Sequence, residues 1–214
     1  MTDTPAPGTF ITFEGVEGAG KTTQIARLAD WLERQGRKVV VSRDPGGTAI
    51  GTKIRGILLD PENANLCDRS ELMLYAADRA QHVVEKIQPA LAEGAVVLCD
   101  RYVHSTLAYQ GYGRGLPQAD IRWLNDYATR GLMPDLVLLL DLDPVIGLFR
   151  ATASGEPDRL EREALSFHAR VRAGFLVLAA AEPERFVIVP GDEPADRVTA
   201  IIQEQVAKRC GIVP

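Results

Sequence analysis

Thr9-Phe-Ile-Thr-Phe-Glu-Gly-Val-Glu-Gly-Ala-Gly-Lys-Thr22 begins as an apolar, β-rich run and turns on three glycines. It then leads into a helical pattern over Lys21–Gln35 that ends at Gly36. Its second half has the spacing G-x-x-x-x-G-K-[ST], which between a strand and a helix marks a phosphate-binding loop. Glycines let the backbone curl so that successive N–H groups face phosphate oxygens, and the helix N-terminus adds partial positive charge. Gly15, Val16, Glu17, Gly18, Ala19, Gly20, Lys21 and Thr22, with Thr23 next in the chain, are therefore expected to grip ATP. Lys21 is placed to reach the β- and γ-phosphates, and the Thr22 hydroxyl to ligate Mg2+.

Four further β-rich runs follow, at Lys38–Ser42, Ala95–Cys99, Leu136–Leu140 and Arg185–Val189, separated by stretches long enough for helices. Nearly continuous apolar strands alternating with helices predict an α/β fold, a parallel sheet covered on both faces. A helix is expected over 68–88, where Leu72, Ala76, Ala80, Val83 and Ile87 share a side and Pro89 kinks or restarts it. Another over 158–181 carries the core-facing stripe Leu160, Ala164, Phe167, Val171, Phe175 and Leu178. No composition shift marks a second domain. The expected organisation is a flexible N-terminal tail over 1–8, a single domain over 9–209 and a C-terminal tail over 210–214.

The composition of the 214 residues, 46% hydrophobic and 25% charged, is that of a soluble globular chain. A net charge of −5 argues against nucleic acid as a main partner. Cys67, Cys99 and Cys210 are odd in number and widely spaced, fitting neither a disulfide framework nor a zinc site. No signal-peptide pattern opens the chain and no apolar run is long enough to cross a bilayer, so a cytoplasmic protein without membrane contact is expected.

Asp100 directly follows the run Ala95–Cys99, which puts a carboxylate at the end of a parallel strand beside the phosphate crevice. There it can help hold a metal ion or order its waters. Guanine-reading Asn-Lys-x-Asp and transporter-type Leu-Ser-Gly-Gly-Gln are both missing from the sequence. A short chain with arginines spread over loops suits a small-molecule kinase, which must hold two polyanions together for in-line transfer.

Six segments together resemble one family. They are Glu14-Gly-Val-Glu-Gly-Ala-Gly-Lys-Thr-Thr23, Arg43-Asp-Pro-Gly-Gly-Thr48, Tyr75-Ala-Ala-Asp-Arg79, Asp100-Arg-Tyr102, Ser105-Thr-Leu-Ala-Tyr-Gln110 and Leu140-Asp-Leu-Asp-Pro144. In this order they are similar to bacterial thymidylate kinases, P-loop nucleoside monophosphate kinases. The resemblance implies a five-stranded parallel sheet, a homodimer, and ATP and dTMP giving ADP and dTDP in dTTP biosynthesis. A P-loop kinase with a different pyrimidine acceptor is the alternative. Residue by residue, the resemblance assigns Arg43 and Arg101 to the acceptor phosphate, where guanidinium forks suit phosphate oxygens. Tyr75 would stack on thymine where the family usually has Phe, and Arg79 would donate to a thymine carbonyl. Ser105 and Thr106, with Gln110 in the same segment, would meet the base edge, and Tyr109 would crowd the sugar C2′. Glu17 would accept from the 3′-hydroxyl.

The sequence departs from the family pattern at two places. Some members carry a transition-state arginine in the phosphate loop, but Gly18 stands there, so a lid over about 150–159 is expected to supply it. Thr152 and Ser154 replace lid arginines, which leaves Arg159 for the transition state and Arg150 to lie against adenine. Asp44 stands where Glu is usual. His82, His104 and His168 show no ligand spacing and are given no chemical role, and Asp141 is read as a cap.

Overall fold

A computed structural model describes residues 8–153 and 156–211 of the chain. All five apolar runs form strands, displaced by no more than one residue: β1 (Thr9–Glu14), β2 (Val39–Arg43), β3 (Val96–Asp100), β4 (Leu136–Asp141) and β5 (Phe186–Pro190). They pair in parallel in the order β2-β3-β1-β4-β5. The inner strands are buried on both faces, which is why they read as unbroken apolar runs.

Nine α-helices surround the sheet among the described residues: α1 (Lys21–Arg34), α2 (Ala49–Leu59), α3 (Asp68–His82), α4 (Gln88–Ala92), α5 (Val103–Thr106), α6 (Gln118–Thr129), α7 (Pro144–Thr152), α8 (Leu165–Ala181) and α9 (Ala195–Cys210). α9 runs through Cys210 and is closed by Gly211 in the left-handed region. The break expected at Pro89 takes another form. A π turn over Val83–Ile87 joins α3 to α4, and Pro89 sits in the first turn of α4, where its missing N–H costs nothing. A second π turn, Leu107–Gly113, extends α5 and carries Tyr109 and Gln110.

The helix expected from residue 158 is corrected by the structure: α8 begins only at Leu165. The Asp158 carboxylate accepts the N–H groups of Leu160 and Glu161, and the Arg159 N–H goes to the Leu59 carbonyl. Those bonds shape a turn and take the donors that a helix would otherwise use. Leu160, Phe167, Val171, Phe175 and Leu178 are still buried in the core, whereas Ala164 is exposed.

The strand order sets the position of the crevice. β1 lies between β3 and β4, and the chain leaves its C-terminal end at the point where the sheet's direction of winding reverses. Register places Phe13 and Arg43 level with Asp100, so the phosphate loop, Arg43 and Asp100-Arg101 leave the sheet at one height.

Two close approaches hold the loop. Gly15, at φ 134°, passes so near the Leu140 carbonyl that a Cβ would collide with it. Gly18, at φ 67°, lies against the Gly147 carbonyl of α7, and a Cβ on Gly147 would in turn strike the Glu17 carbonyl. A side chain at position 18 is excluded by this backbone contact. Gly147→Ala should therefore lower stability by about 1–3 kcal/mol, the range for overpacking, although Ala normally improves a helix. Thermal unfolding checks this; a raised Tm would mean that the loop and α7 are not in tight contact.

Candidate active site

A cleft of about 490 Å3 opens above the C-terminal ends of the strands. Glu17 to Thr23 and Arg150 line one part of it. Arg43, Tyr75, Arg79, Arg101, Ser105, Thr106, Tyr109 and Gln110 line the other, with Asp100 among them. Gly15 and Val16 form the back of the loop and are buried. Arg159 does not line the cleft.

Lys21 opens α1 and folds back over the loop, its Nζ donating to the carbonyls of Gly15 (3.1 Å) and Val16 (3.0 Å). Burial, then the nearby Arg101 charge, brings its amine down to about 8. It remains cationic at neutral pH, with a third proton for an anion in the loop.

Arg101 follows β3 at φ 69°, in the left-handed region, its N–H bound to the Phe13 carbonyl. Nη1 donates to Gly15 O (2.9 Å) and Ser105 Oγ (3.1 Å), and Nη2 to Glu17 Oε1 (3.1 Å) and Tyr109 Oη (3.0 Å). All four Nη protons thus have protein acceptors, and Nε–H is the donor left over. Ser105 is committed as well, because its hydroxyl donates to Glu14 Oε2 at 2.5 Å. The sequence reading placed Ser105 at a base edge; here its hydroxyl belongs to the loop's own network.

Two carboxylates at the loop, Glu14 fully buried and Glu17 partly so, differ in charge preference. Burial pushes Glu14 up to about 7, despite donors from Ser105 and Tyr102 and the charge of Arg101. Burial pushes Glu17 the same way, but His168, Arg101, Lys21 and Tyr109 outweigh it and hold the carboxyl at about 2. Glu17 Oε1 accepts from Tyr109 Oη at 2.5 Å, and Oε2 lies 3.3 Å from His168 Nδ1.

Arg79 is 1% exposed and forked onto Asp44, Nε to Oδ2 at 3.2 Å and Nη2 to Oδ1 at 2.9 Å. Nη1 donates to Asn125 Oδ1, and Nη2 reaches the Tyr102 carbonyl. One Nη1 proton remains for a ligand. Asp44, the departure from the family pattern, thus accepts both arms of the fork. Asp44, Asp78 and His82 bring possible ligand atoms within 4.8 Å of one another. The Arg79 guanidinium already supplies the cation that Asp44 needs. Asp78 Oδ1 accepts the Gly46 N–H at 3.0 Å and His82 Nε2 lies 2.7 Å from Ser42 Oγ, tying α3 to β2 and the loop after it.

Sequence reasoning missed Arg55 on α2. It lines the cleft and donates to the Pro45 carbonyl at 3.1 Å. Burial, then the like charge of Arg43, weakens its hold on its proton. No motif marks it; the signal was its place one turn after buried Gly51 and just before buried Leu58. The Arg43 side chain has no hydrogen bond or ion pair among the described residues. Two guanidinium groups facing one space favour an anion between them. Asp100 Oδ1 is buried without a partner among the described residues, and with the Thr22 hydroxyl offers hard oxygen donors of the kind Mg2+ takes.

Arg150 lines the cleft and donates to Gly191 O at 3.1 Å. Arg159, expected to point into the cleft, is turned away and 8% exposed. Nε donates to Leu58 O and Nη2 to Glu71 Oε2. Ser154, within the expected lid, lies outside the described residues. Asp141 pairs with Arg172 at 2.7 Å and takes no part in the cleft.

Glu71 collects the residues around the lid base. Its carboxylate also accepts from Gln110 Nε2 at 2.8 Å and from Arg114 Nε and Nη2. Glu71→Gln keeps the shape and removes the charge facing two arginines. Breaking a buried pair in this way should cost about 3–5 kcal/mol, measured by urea unfolding. A loss below about 1 kcal/mol would mean that the arginines are solvated and the pairs add little.

A family model described as thymidylate kinase matches residues 13–202. The chain is 54% identical over 206 residues to a thymidylate kinase of Solidesulfovibrio magneticus, covering 93% of this chain and 99% of that one. It is 52% identical over 202 residues to a thymidylate kinase of Deinococcus radiodurans, covering 94% and 98%. The crystal structure of a thymidylate kinase from Ehrlichia chaffeensis superimposes with a TM-score of 0.78 at 32% identity, covering 94% of this chain and all of that one.

Proposed function

The chain belongs to the thymidylate kinase family, and we infer that it transfers the γ-phosphoryl group of ATP to dTMP, releasing ADP and dTDP for dTTP biosynthesis. The observation that carries this reading is a phosphate loop sharing one cleft with Arg43 and Arg55, two like charges with an anion's space between them. A 5′-phosphate oxygen of dTMP attacks the γ-phosphorus, and the bond to the β–γ bridging oxygen breaks. Such a transfer needs alignment and charge stabilisation more than proton chemistry.

Loop N–H groups and Lys21 meet the β- and γ-phosphates. Arg43, Arg55 and the Arg101 Nε–H receive the acceptor phosphate. The Tyr75 ring, 8% exposed on the wall of the cleft, stacks on the base. Thr106, whose buried Oγ1 has no partner among the described residues, Gln110 and the remaining Arg79 proton meet its polar edge. Tyr109 stands at the sugar, and Glu17 accepts from the 3′-hydroxyl. Thr22 and Asp100 would hold Mg2+, which would supply charge neutralisation for the phosphates in transfer. Arg150 stacks against adenine. Arg159 anchors the lid base on Glu71 and the end of α2 instead of meeting the transferring group.

Exposed Met73 on α3 and the stacked pair Trp123 and Tyr127 on α6 support a homodimer formed through these packed helices. Three free cysteines fit a reducing cytoplasm. No helix among the described residues is long and apolar enough to cross a membrane.

An ADP-release assay across dTMP, dUMP, UMP, CMP and thymidine tests the assignment, with the highest kcat/KM expected for dTMP. A preference for UMP or CMP would overturn it in favour of another pyrimidine kinase. In the same assay Lys21→Ala should lower turnover by about 10²–10³-fold, the usual cost of one preorganised donor, with the fold retained. Near-normal turnover would remove Lys21 from the chemistry.

A further inference from the structure

His168 does not line the cleft, has no motif around it and is fully buried in the first turn of α8. Its Nδ1 lies 3.3 Å from Oε2 of Glu17, and neither atom has a hydrogen-bond partner of good geometry among the described residues. The other oxygen of Glu17 is already engaged by Tyr109 and Arg101. A buried carboxylate oxygen and a buried imidazole nitrogen, both unsatisfied and facing each other, are costly apart and need little movement to bond.

We propose that His168 is a positioning residue for phosphoryl transfer, holding Oε2 of Glu17 so that the carboxylate keeps the orientation in which it meets the acceptor's 3′-hydroxyl. This rests on the reading of Glu17 as the group that accepts from that hydroxyl. Arg101 holds Glu17 from the end of β3 and Tyr109 from the π turn after α5, while Lys21 faces it from α1 and His168 from α8. Glu161, in the turn before α8, is the other carboxyl near both partners. With Nδ1–H directed at Oε2, the carboxylate plane is fixed between three supports. Phe167 packs edge-on against the imidazole at 5.3 Å and limits its rotation. α8 therefore supports the acceptor site without touching the acceptor.

The test compares kcat/KM for dTMP and for its 3′-deoxy analogue, which lacks only the hydroxyl. The wild-type chain should favour dTMP by about 10-fold, the worth of one hydrogen bond to a charged group. Glu17→Gln should reduce that preference. His168→Leu, which fills the buried space without a donor, should reduce it to the Glu17→Gln level and leave the KM for ATP unchanged. His168→Asn, whose amide nitrogen sits where Nδ1 does, should restore it. If His168→Leu does not fold, His168→Gln, which reaches instead toward the Nε2 position, takes its place and should likewise lose the preference. A wild-type preference that survives in the variants without the donor overturns the proposal alone, as does an equal fall for both acceptors. A wild-type chain indifferent to the 3′-hydroxyl overturns the Glu17 reading and the proposal with it.

Discussion

The guanidinium of Arg101 is the tie on which the cleft depends. It reaches the loop through Gly15 and Glu17 and the helical wall through Ser105 and Tyr109, with its carbon 4.8 Å from the Tyr109 ring centre. Its backbone stands at φ 69°, a conformation that costs a non-glycine residue of order 1–3 kcal/mol and persists only when its surroundings enforce it. Here they do, through the Phe13 carbonyl on its N–H and Cys99 Sγ on its carbonyl. Without that turn, the fork would follow the strand direction and miss the loop. Arg101 therefore ties the phosphate loop to the wall that carries Ser105 and Tyr109, the kind of fixed spacing that in-line transfer requires.

Electrostatics in the cleft follow from how each buried charge is accompanied. Burial pushes both Glu14 and Glu17 upward, yet one sits near 7 and the other near 2. The difference is the company each keeps: Glu17 faces Arg101, Lys21, Tyr109 and His168 together, so its anion is the favoured form. Lys21 at about 8 is the counterpart, a cation pressed by burial and by Arg101. Arg43 and Arg55 lack any such carboxylate fork, unlike Arg79 on Asp44. In a chain of net charge −5, that local surplus of positive charge marks where anions belong.

What the sequence disclosed follows from how local each signal was. The three inner strands are buried on both faces and so are apolar almost throughout, and all five strands could be read within a residue of their bounds. The phosphate loop is a contiguous motif and was equally plain. Arg159 was read toward the transferring group, whereas its contacts here are made with Glu71 and two carbonyls at the end of α2, far away in the chain. Arg55 and His168 were missed for the same reason: each acts on a partner brought close only by the fold. Ser105 was legible as a site residue, but its hydroxyl partner, Glu14, is 91 residues distant. Asp44 looked like a minor shortening; its true meaning, a buried fork for Arg79, needed the three-dimensional pairing.

The central claim is that one continuous cleft, closed by the Arg101 tie, holds both phosphate chains end to end. Titration with adenosine and thymidine joined through five phosphates tests this most directly. One equivalent per chain should bind, competitively with both ATP and dTMP and far more tightly than either, and Arg101→Ala should forfeit that advantage. Binding that competes with ATP yet leaves dTMP undisturbed would contradict a shared cleft.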